Sequence, residues 1–302
     1  MEIPRSRPID KKRLQSLYDR TAKPLESQHI WYLHSVLTQC FLPYKDPRTD
    51  TWERRNGDFS ITLVAGHVRD PGSDTLTRRV GLPYGPKPRL FQSYICMQAV
   101  KNQSAVIPIE GTMTEMMHML GLTPTGGDHG TIRSFKEQIT RFSAAHFSII
   151  GPGPKGTYSH IKTTPIRRFD VFFPTDPRQG TLWPNEIHLT SDFYESLKDH
   201  AVPFDFRALK PIQAVARSID IYLWLTQRLP RLDSTKPLLL RWPTLHEMFG
   251  GELALKAFKI RFPQYLSAAH LSYTAAKIEQ HPEGFLFRAS PPPVPRTLFV
   301  VK

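Results

Sequence analysis

The chain has 302 residues, 40% of them hydrophobic, which is enough for two ordinary domains with their own cores. Forty Lys and Arg stand against 27 Asp and Glu, and a net charge of +13 draws a polyanion through counterion release, so nucleic acid is the first partner to consider. No stretch approaches the roughly 20 apolar residues of a membrane-spanning helix, the N-terminal stretch has no apolar signal-peptide core, and the two cysteines, Cys40 and Cys96, sit in apolar surroundings suited to free thiols; a cytoplasmic protein without membrane contact is expected.

Residues 1–25 read as a basic arm, with Arg5, Arg7, Lys11, Lys12, Arg13, Arg20 and Lys23 and a short helix over Lys11 to Tyr18. It is either a phosphate-touching arm or a solvated tail. His29 to Phe41 places Ile30, Leu33, Leu37 and Phe41 at helical spacing, which predicts a helix. Asn56-Gly57 before Phe59, Ile61 and Leu63 predicts a hairpin turn entering a strand, and Val68 to Gly85 reads as loop. From Leu90 the pattern is regular. A helix to Lys101, a strand over Val106 to Ile109 and a helix capped by Thr112 are followed by the TPTGGDHG turn. A longer helix, Thr131 to Ala145, carries Ile132, Phe135, Ile139 and Phe142 three or four apart. Strands are expected at His146 to Ile150, Tyr158 to Thr164 and Phe169 to Phe173, the first two joined by the GPGPKG turn. Helix, strand, helix, turn, helix, hairpin is the order of a winged helix, whose last helix enters the major groove.

The order recurs. Ser218 to Leu229 predicts a helix, Leu238 to Arg241 a strand, Pro243 to Phe249 a short helix and Leu253 to Ala269 a longer one, closed by strands at Leu271 to Ile278 and Gly284 to Arg288. The letters repeat too: Phe142-Ser-Ala-Ala-His-Phe-Ser148 and Leu266-Ser-Ala-Ala-His-Leu-Ser272 stand at the same place in the two copies. The expected fold is therefore α+β, with two tandem winged-helix domains. The first has its core at about 90–173 within a region spanning 26–213, and the second, at 214–302, is the main DNA-binding unit.

Five segments resemble the plasmid-encoded RepA family: GLPYGPKPRL (Gly81 to Leu90), Leu120 to Gly127, Ile219 to Leu229, RWPTLHEMFG (Arg241 to Gly250) and the closing SPPPVP. At greater distance the chain is similar to the TrfA and iteron-binding Rep initiators. The resemblance implies two winged-helix domains related by a pseudo-two-fold. It also implies binding to repeated double-stranded sites (iterons) at a plasmid origin, opening of adjacent DNA, recruitment of host DnaA and replicative helicase, copy-number control and a monomer–dimer switch. Pro263 departs from a plain recognition helix, because a mid-helix proline costs about 3 kcal/mol and predicts a kink or a break there.

In the second unit Lys256, Lys259 and Arg261 lie in the N-terminal half of the predicted third helix, where base contacts are made in helix-turn-helix proteins. In the first unit Arg133, Lys136 and Arg141 occupy the corresponding helix, and Lys155, Lys162, Arg167 and Arg168 lie on its predicted wing, suited to phosphates. A solvated basic face is the alternative for each group, and dimerisation is a further one for the first unit. Arg217, Arg228 and Arg231 are weaker candidates, and His146 and His270 read as structural helix-end imidazoles.

No catalytic pattern emerges. No two of the 12 histidines are two apart, as a metal-dependent nickase would need, and His246-Glu247 has no second ligand after it. Gly151 to Thr157 lacks the Lys-Ser/Thr of a phosphate loop. No cofactor, metal or enzymatic activity is expected. A winged-helix repressor without a replication role and a DNA-nicking enzyme are the competing readings.

Overall fold

The computed structural model describes residues 23–69, 77–152, 158–163, 165–169 and 186–298, with backbone alone for 158–163, 168 and 169. In chain order, β1 (Ile30–His34) and a 3-10 turn (Ser35–Thr38) precede β2 (Thr51–Asn56), β3 (Phe59–Val64), β4 (His67–Arg69) and β5 (Thr77–Arg79). Helix α1 (Pro86–Asn102), β6 (Val106–Pro108), α2 (Met113–Met119) and α3 (Thr131–Ala144) follow. Strands β7 (His146–Pro152), β8 (Tyr158–Thr163), β9 (Ile166–Phe169) and β10 (Glu186–Leu189) lead to α4 (Ser191–His200) and β11 (Ala201–Asp205). Then come α5 (Ala216–Arg228), β12 (Leu238–Arg241), α6 (Trp242–Phe249), α7 (Leu255–Ser272), β13 (Lys277–His281) and β14 (Gly284–Arg288).

The chain divides into two compact units, one of Lys45–His200 and the other of the residues up to Tyr44 with those from Ala201 onward. Residues 201–213 and 26–44, expected in the N-terminal region, thus belong with the C-terminal unit. The reason is β1. Its five residues are all buried and pair antiparallel with β11, from Ile30↔Asp205 to His34↔Ala201. The ring of Trp31 stacks on Phe206 with centroids 3.6 Å apart. The helix predicted over His29 to Phe41 is therefore a strand and a 3-10 turn. A strand buried on both faces is a continuous apolar run, and such a run also contains a helical stripe.

In the Lys45–His200 unit, α1 is buried almost all round, from Pro88 to Ala99. It starts at Pro86, four residues before the predicted start, because Pro at the first helical position loses no bond the helix would make. Thr112 caps α2 in a reciprocal capping box with Glu115. The Asn56-Gly57 signal holds: β2 and β3 pair from Asn56↔Phe59, with Gly57 at φ +56 in the two-residue turn. The predicted loop over 68–85 contains β4 and β5, a short antiparallel ladder.

The predicted wing of this unit is reassigned. Strand β7 pairs with β8 but also with β3, giving a separate sheet ordered β2-β3-β7-β8. Strand β6 instead pairs with β10, which pairs with β9, in the order β6-β10-β9. A strand runs over Ile166–Phe169; of the strand expected at Phe169 to Phe173 only Phe169 is described, and residues 170–173 and 153–157 lie outside the described residues.

The C-terminal unit is built on α5, buried from Ala216 to Thr226. Phe258, Phe262 and Leu266 of α7 face this core with no exposed surface, beside Phe249 and Phe285. Each such side chain contributes about 1.5–3 kcal/mol by leaving water. The sheet order is β12-β14-β13. Two further expectations change. Helix α7 continues to Ser272, so the strand predicted from Leu271 begins only at Lys277, and Pro263 sits inside α7 without dividing it. A continuous buried stripe on both sides of Pro263 offsets the one backbone bond that proline cannot donate.

The units share one element order. In each, a helix, a strand, two helices and two closing strands follow, and the last strand lies between the other two: β6-β10-β9 in one, β12-β14-β13 in the other. The difference is the β7–β8 pair, inserted after α3 and given to a different sheet.

Candidate nucleic-acid interface

The turn between α6 and α7 sets how α7 is presented, and it is fixed by hydrogen bonds. Buried Arg217 donates from Nε to the Phe249 carbonyl at 2.6 Å and from Nη2 to the Gly250 carbonyl at 2.9 Å. These are C-terminal carbonyls that the helix itself leaves without donors. The Arg217 guanidinium lies over the rings of Tyr44 and Tyr265, 4.1 and 5.0 Å from their centroids. His246 Nε2 lies 2.6 Å from the Leu253 carbonyl across the same turn, and a Cβ on Gly250 would come within 2.4 Å of the His246 ring. Arg217 is thus internal to the fold.

Helix α7 buries Phe258, Phe262, Leu266 and Ala269. At about 100° per residue, the side away from that stripe is centred on Lys256, Ile260 and Gln264, spaced i, i+4, i+8. All three are exposed. Lys259 and Arg261, also exposed, flank this line on opposite sides. The Lys259 ammonium stands 6.0 Å from the centroid of the Trp242 ring. Trp242 in turn donates from its backbone N–H to the Glu283 carbonyl at 2.8 Å and from its indole N–H to the Pro282 carbonyl at 3.3 Å. The start of α6, the β13–β14 turn and Lys259 therefore meet at one indole. Along the hairpin Glu279 accepts from Arg288 at 2.8 Å, and Glu283 lies 3.6 Å from Arg241. Cations and carboxylates offset each other there, whereas α7 carries Lys256, Lys259 and Arg261 and no acidic residue of its own.

The predicted cations of α3 are differently employed. Arg141 Nη1 donates to Asp46 at 2.9 Å and to the Leu82 carbonyl at 3.2 Å, and Nη2 donates to Glu137 at 2.6 Å. Burial lowers the Arg141 pKa, but the Asp46 and Glu137 carboxylates outweigh it and the net shift is upward. Arg133 pairs with Asp128 at 2.7 Å with both groups exposed. Burial pushes the Lys136 pKa down. A cleft of about 520 Å³ runs beside α3, lined by Arg78, Arg79, Arg133, Lys136, Glu137 and Arg141. Arg167 is exposed on β9. Lys162 pairs in register with Ser148, and Arg168 with His188, their side chains lying outside the described residues, as does all of Lys155. Because β7–β8 joins another sheet, Lys162 does not share a ladder with Arg167 and Arg168.

His270 Nε2 lies 2.9 Å from the Ala276 carbonyl near the end of α7, and His146 is exposed at the start of β7. Cys40 and Cys96 are buried free thiols. Among the described residues no helix is long and apolar enough to cross a membrane, and no group of three His, Cys, Asp or Glu could hold a metal.

Ile260, Gln264 and Trp242 carry no charge that would mark them as site residues, and the Arg78-Arg79 pair falls in a stretch that reads as loop. The spacing of Ile260 and Gln264 from Lys256, out of phase with Phe258 and Phe262, is the signal that marks them.

A family model described as plasmid encoded RepA protein matches residues 82–242, just over half of the chain. The chain belongs to the plasmid-encoded RepA family. That match spans all of α1 to β12 and ends at Trp242, so it reaches the start of α6 but not α7. No curated protein matches this RepA chain. A crystal structure of domains 2 and 3 of RctB is similar in fold, with a TM-score of 0.50 and 13% identity over 83% of this chain and 95% of that one.

Proposed function

We propose that this RepA-family protein is a plasmid replication initiator that binds repeated double-stranded sites at its origin. Each unit is read as a winged helix, in tandem, with α7 as the recognition helix of the main DNA-binding unit over 214–302. The observation that carries this is the outward line of α7, centred on Lys256, Ile260 and Gln264 and flanked by Lys259 and Arg261. It pairs an unobstructed helix face with the cations that draw phosphates, and a helix of this width fits the major groove. The family supports a role in plasmid replication.

In the same reading β9 and β10 form the wing of the first unit, and Arg167 and Arg168 meet phosphate there. Arg133, Lys136 and the cleft beside α3 hold DNA backbone without reading sequence, and Lys162, on the inserted strand β8, and Lys155 are assigned the same role. Origin opening, recruitment of host DnaA and replicative helicase, copy-number control by a dimeric form, a cytoplasmic location and the lack of catalytic activity follow from this reading as proposals. Footprinting on the DNA flanking the gene tests it. Directly repeated protected sites beside an AT-rich stretch support initiation; a single inverted repeat at a promoter favours a repressor, and covalent attachment to a nicked strand favours a nickase.

A further inference from the structure

We propose that Ile260 reads a thymine methyl group in the major groove and is a specificity-determining residue of α7; this rests on the DNA-binding reading above. Ile260 is 67% exposed, more than any other large hydrophobic side chain among the described residues. A lone exposed apolar residue is ordinary on a protein surface, but the position of this one is not. It lies two residues, or about 200° of helix, from both Phe258 and Phe262, at the centre of the side turned away from the core. Lys256 stands one turn before it and Gln264 one turn after, with Lys259 and Arg261 on either flank, all exposed.

The occupant follows from the chemistry of that surroundings. A second protein surface that buried Ile260 would also bury the Lys256, Lys259 and Arg261 charges, at high cost unless each found a carboxylate. A DNA duplex meets both demands at once. Its phosphates line the rims of the groove, where flanking cations reach them, and its floor carries one apolar feature, the C5-methyl of thymine. An Ile side chain offers no hydrogen bond and so cannot compete for a base edge; it can only exclude water from that methyl. Ile260 would therefore discriminate thymine from cytosine and from uracil, while the lysines supply affinity without preference.

The test replaces thymines of the footprinted site by deoxyuridine one at a time, which removes the methyl and leaves the base-pairing edge unchanged. Wild-type protein and Ile260→Ala are titrated against each duplex at fixed salt. At one position per bound unit the wild type is expected to lose about fourfold in affinity, equivalent to ~0.8 kcal/mol at 1.4 kcal/mol per tenfold. Ile260→Ala is expected to bind the thymine duplex at least fourfold more weakly and to be indifferent to uracil at that position. The side chain is on the surface, so the variant should fold as the wild type does. Uracil sensitivity that persists unchanged in Ile260→Ala, or its absence from wild type, overturns the assignment while leaving DNA binding intact. Unchanged DNA affinity with an altered oligomeric state in sedimentation also overturns it, by placing Ile260 in a protein contact. Failure of wild type to bind any flanking duplex removes the DNA reading and this assignment together.

Discussion

The ammonium of Lys259 stands over the indole of Trp242, 6.0 Å from the ring centroid, while the same indole donates to the Pro282 carbonyl of the β13–β14 turn. One aromatic ring thus joins a candidate phosphate contact on α7 to the turn of the adjoining hairpin. Lys259→Gln is expected to lower affinity for all duplexes to a similar degree and to reduce the slope of log K against log salt by about one. Trp242→Phe keeps an aromatic ring against Phe262 and Phe285 but loses the indole donor. Its effect on affinity is expected to be smaller than that of Lys259→Gln. Titrations at several salt concentrations check both.

Lys256 and Arg261 differ in what they can do. An Arg can pair bidentately with guanine, and a Lys acts more as a point charge. Arg261→Ala is expected to cost roughly 1–3 kcal/mol at the cognate site and to relax preference at one base pair, whereas Lys256→Ala weakens specific and non-specific binding alike. Competition titrations with single-base variants of the site separate these outcomes.

Arg217 is expected to matter for folding and not for contact with DNA. Its bonds to the Phe249 and Gly250 carbonyls are buried, so Arg217→Ala removes the side-chain donor from both, leaves Gly250 with the Leu253 N–H alone, and takes the cation from two tyrosine rings. A loss of about 3 kcal/mol is expected in denaturant unfolding, with the affinity of the folded fraction little changed.

The Asp46–Arg141 pair gives a signed pH dependence. Burial pushes the Asp46 pKa up, but the Arg48 backbone N–H and the Arg141 guanidinium outweigh it and hold the carboxyl below its ordinary value. A carboxyl with a lower pKa in the folded state contributes stability that is present above its unfolded pKa and lost as pH falls through the folded one. The Lys45–His200 unit should therefore weaken below about pH 4. Asp46→Asn is expected to lose about 1 kcal/mol at neutral pH and to flatten that acid limb, measured by thermal unfolding between neutral and acid pH.

Local chemistry made much of the fold legible. Thr112 with Glu115, the Asn56-Gly57 turn, and the apolar spacing of α3 and α5 each act over a few residues, and each is found in place. What depended on distant pairing was not legible. The strand Ile30–His34 is made by residues 201–205, and β6 pairs with β10 some 80 positions on, whereas adjacency in sequence favours the β7–β8 hairpin as the wing. The same holds at the candidate site. One of the two carboxylates that engage Arg141, Glu137, is four residues away, but the other, Asp46, is 95 residues earlier and beyond any local pattern. Ile260 leaves no mark in the charge pattern, because it is the apolar residue between the cations.

The most direct measurement is methylation interference at guanine N7, a major-groove atom, on the repeats flanking the gene, comparing wild type with Lys256→Ala and Lys259→Gln. Interference at one major-groove face per repeat, with wild-type affinity reduced in both variants, is the predicted result. Binding that is indifferent to major-groove methylation, or unchanged in both variants at the same salt, would contradict the placement of α7 in the groove.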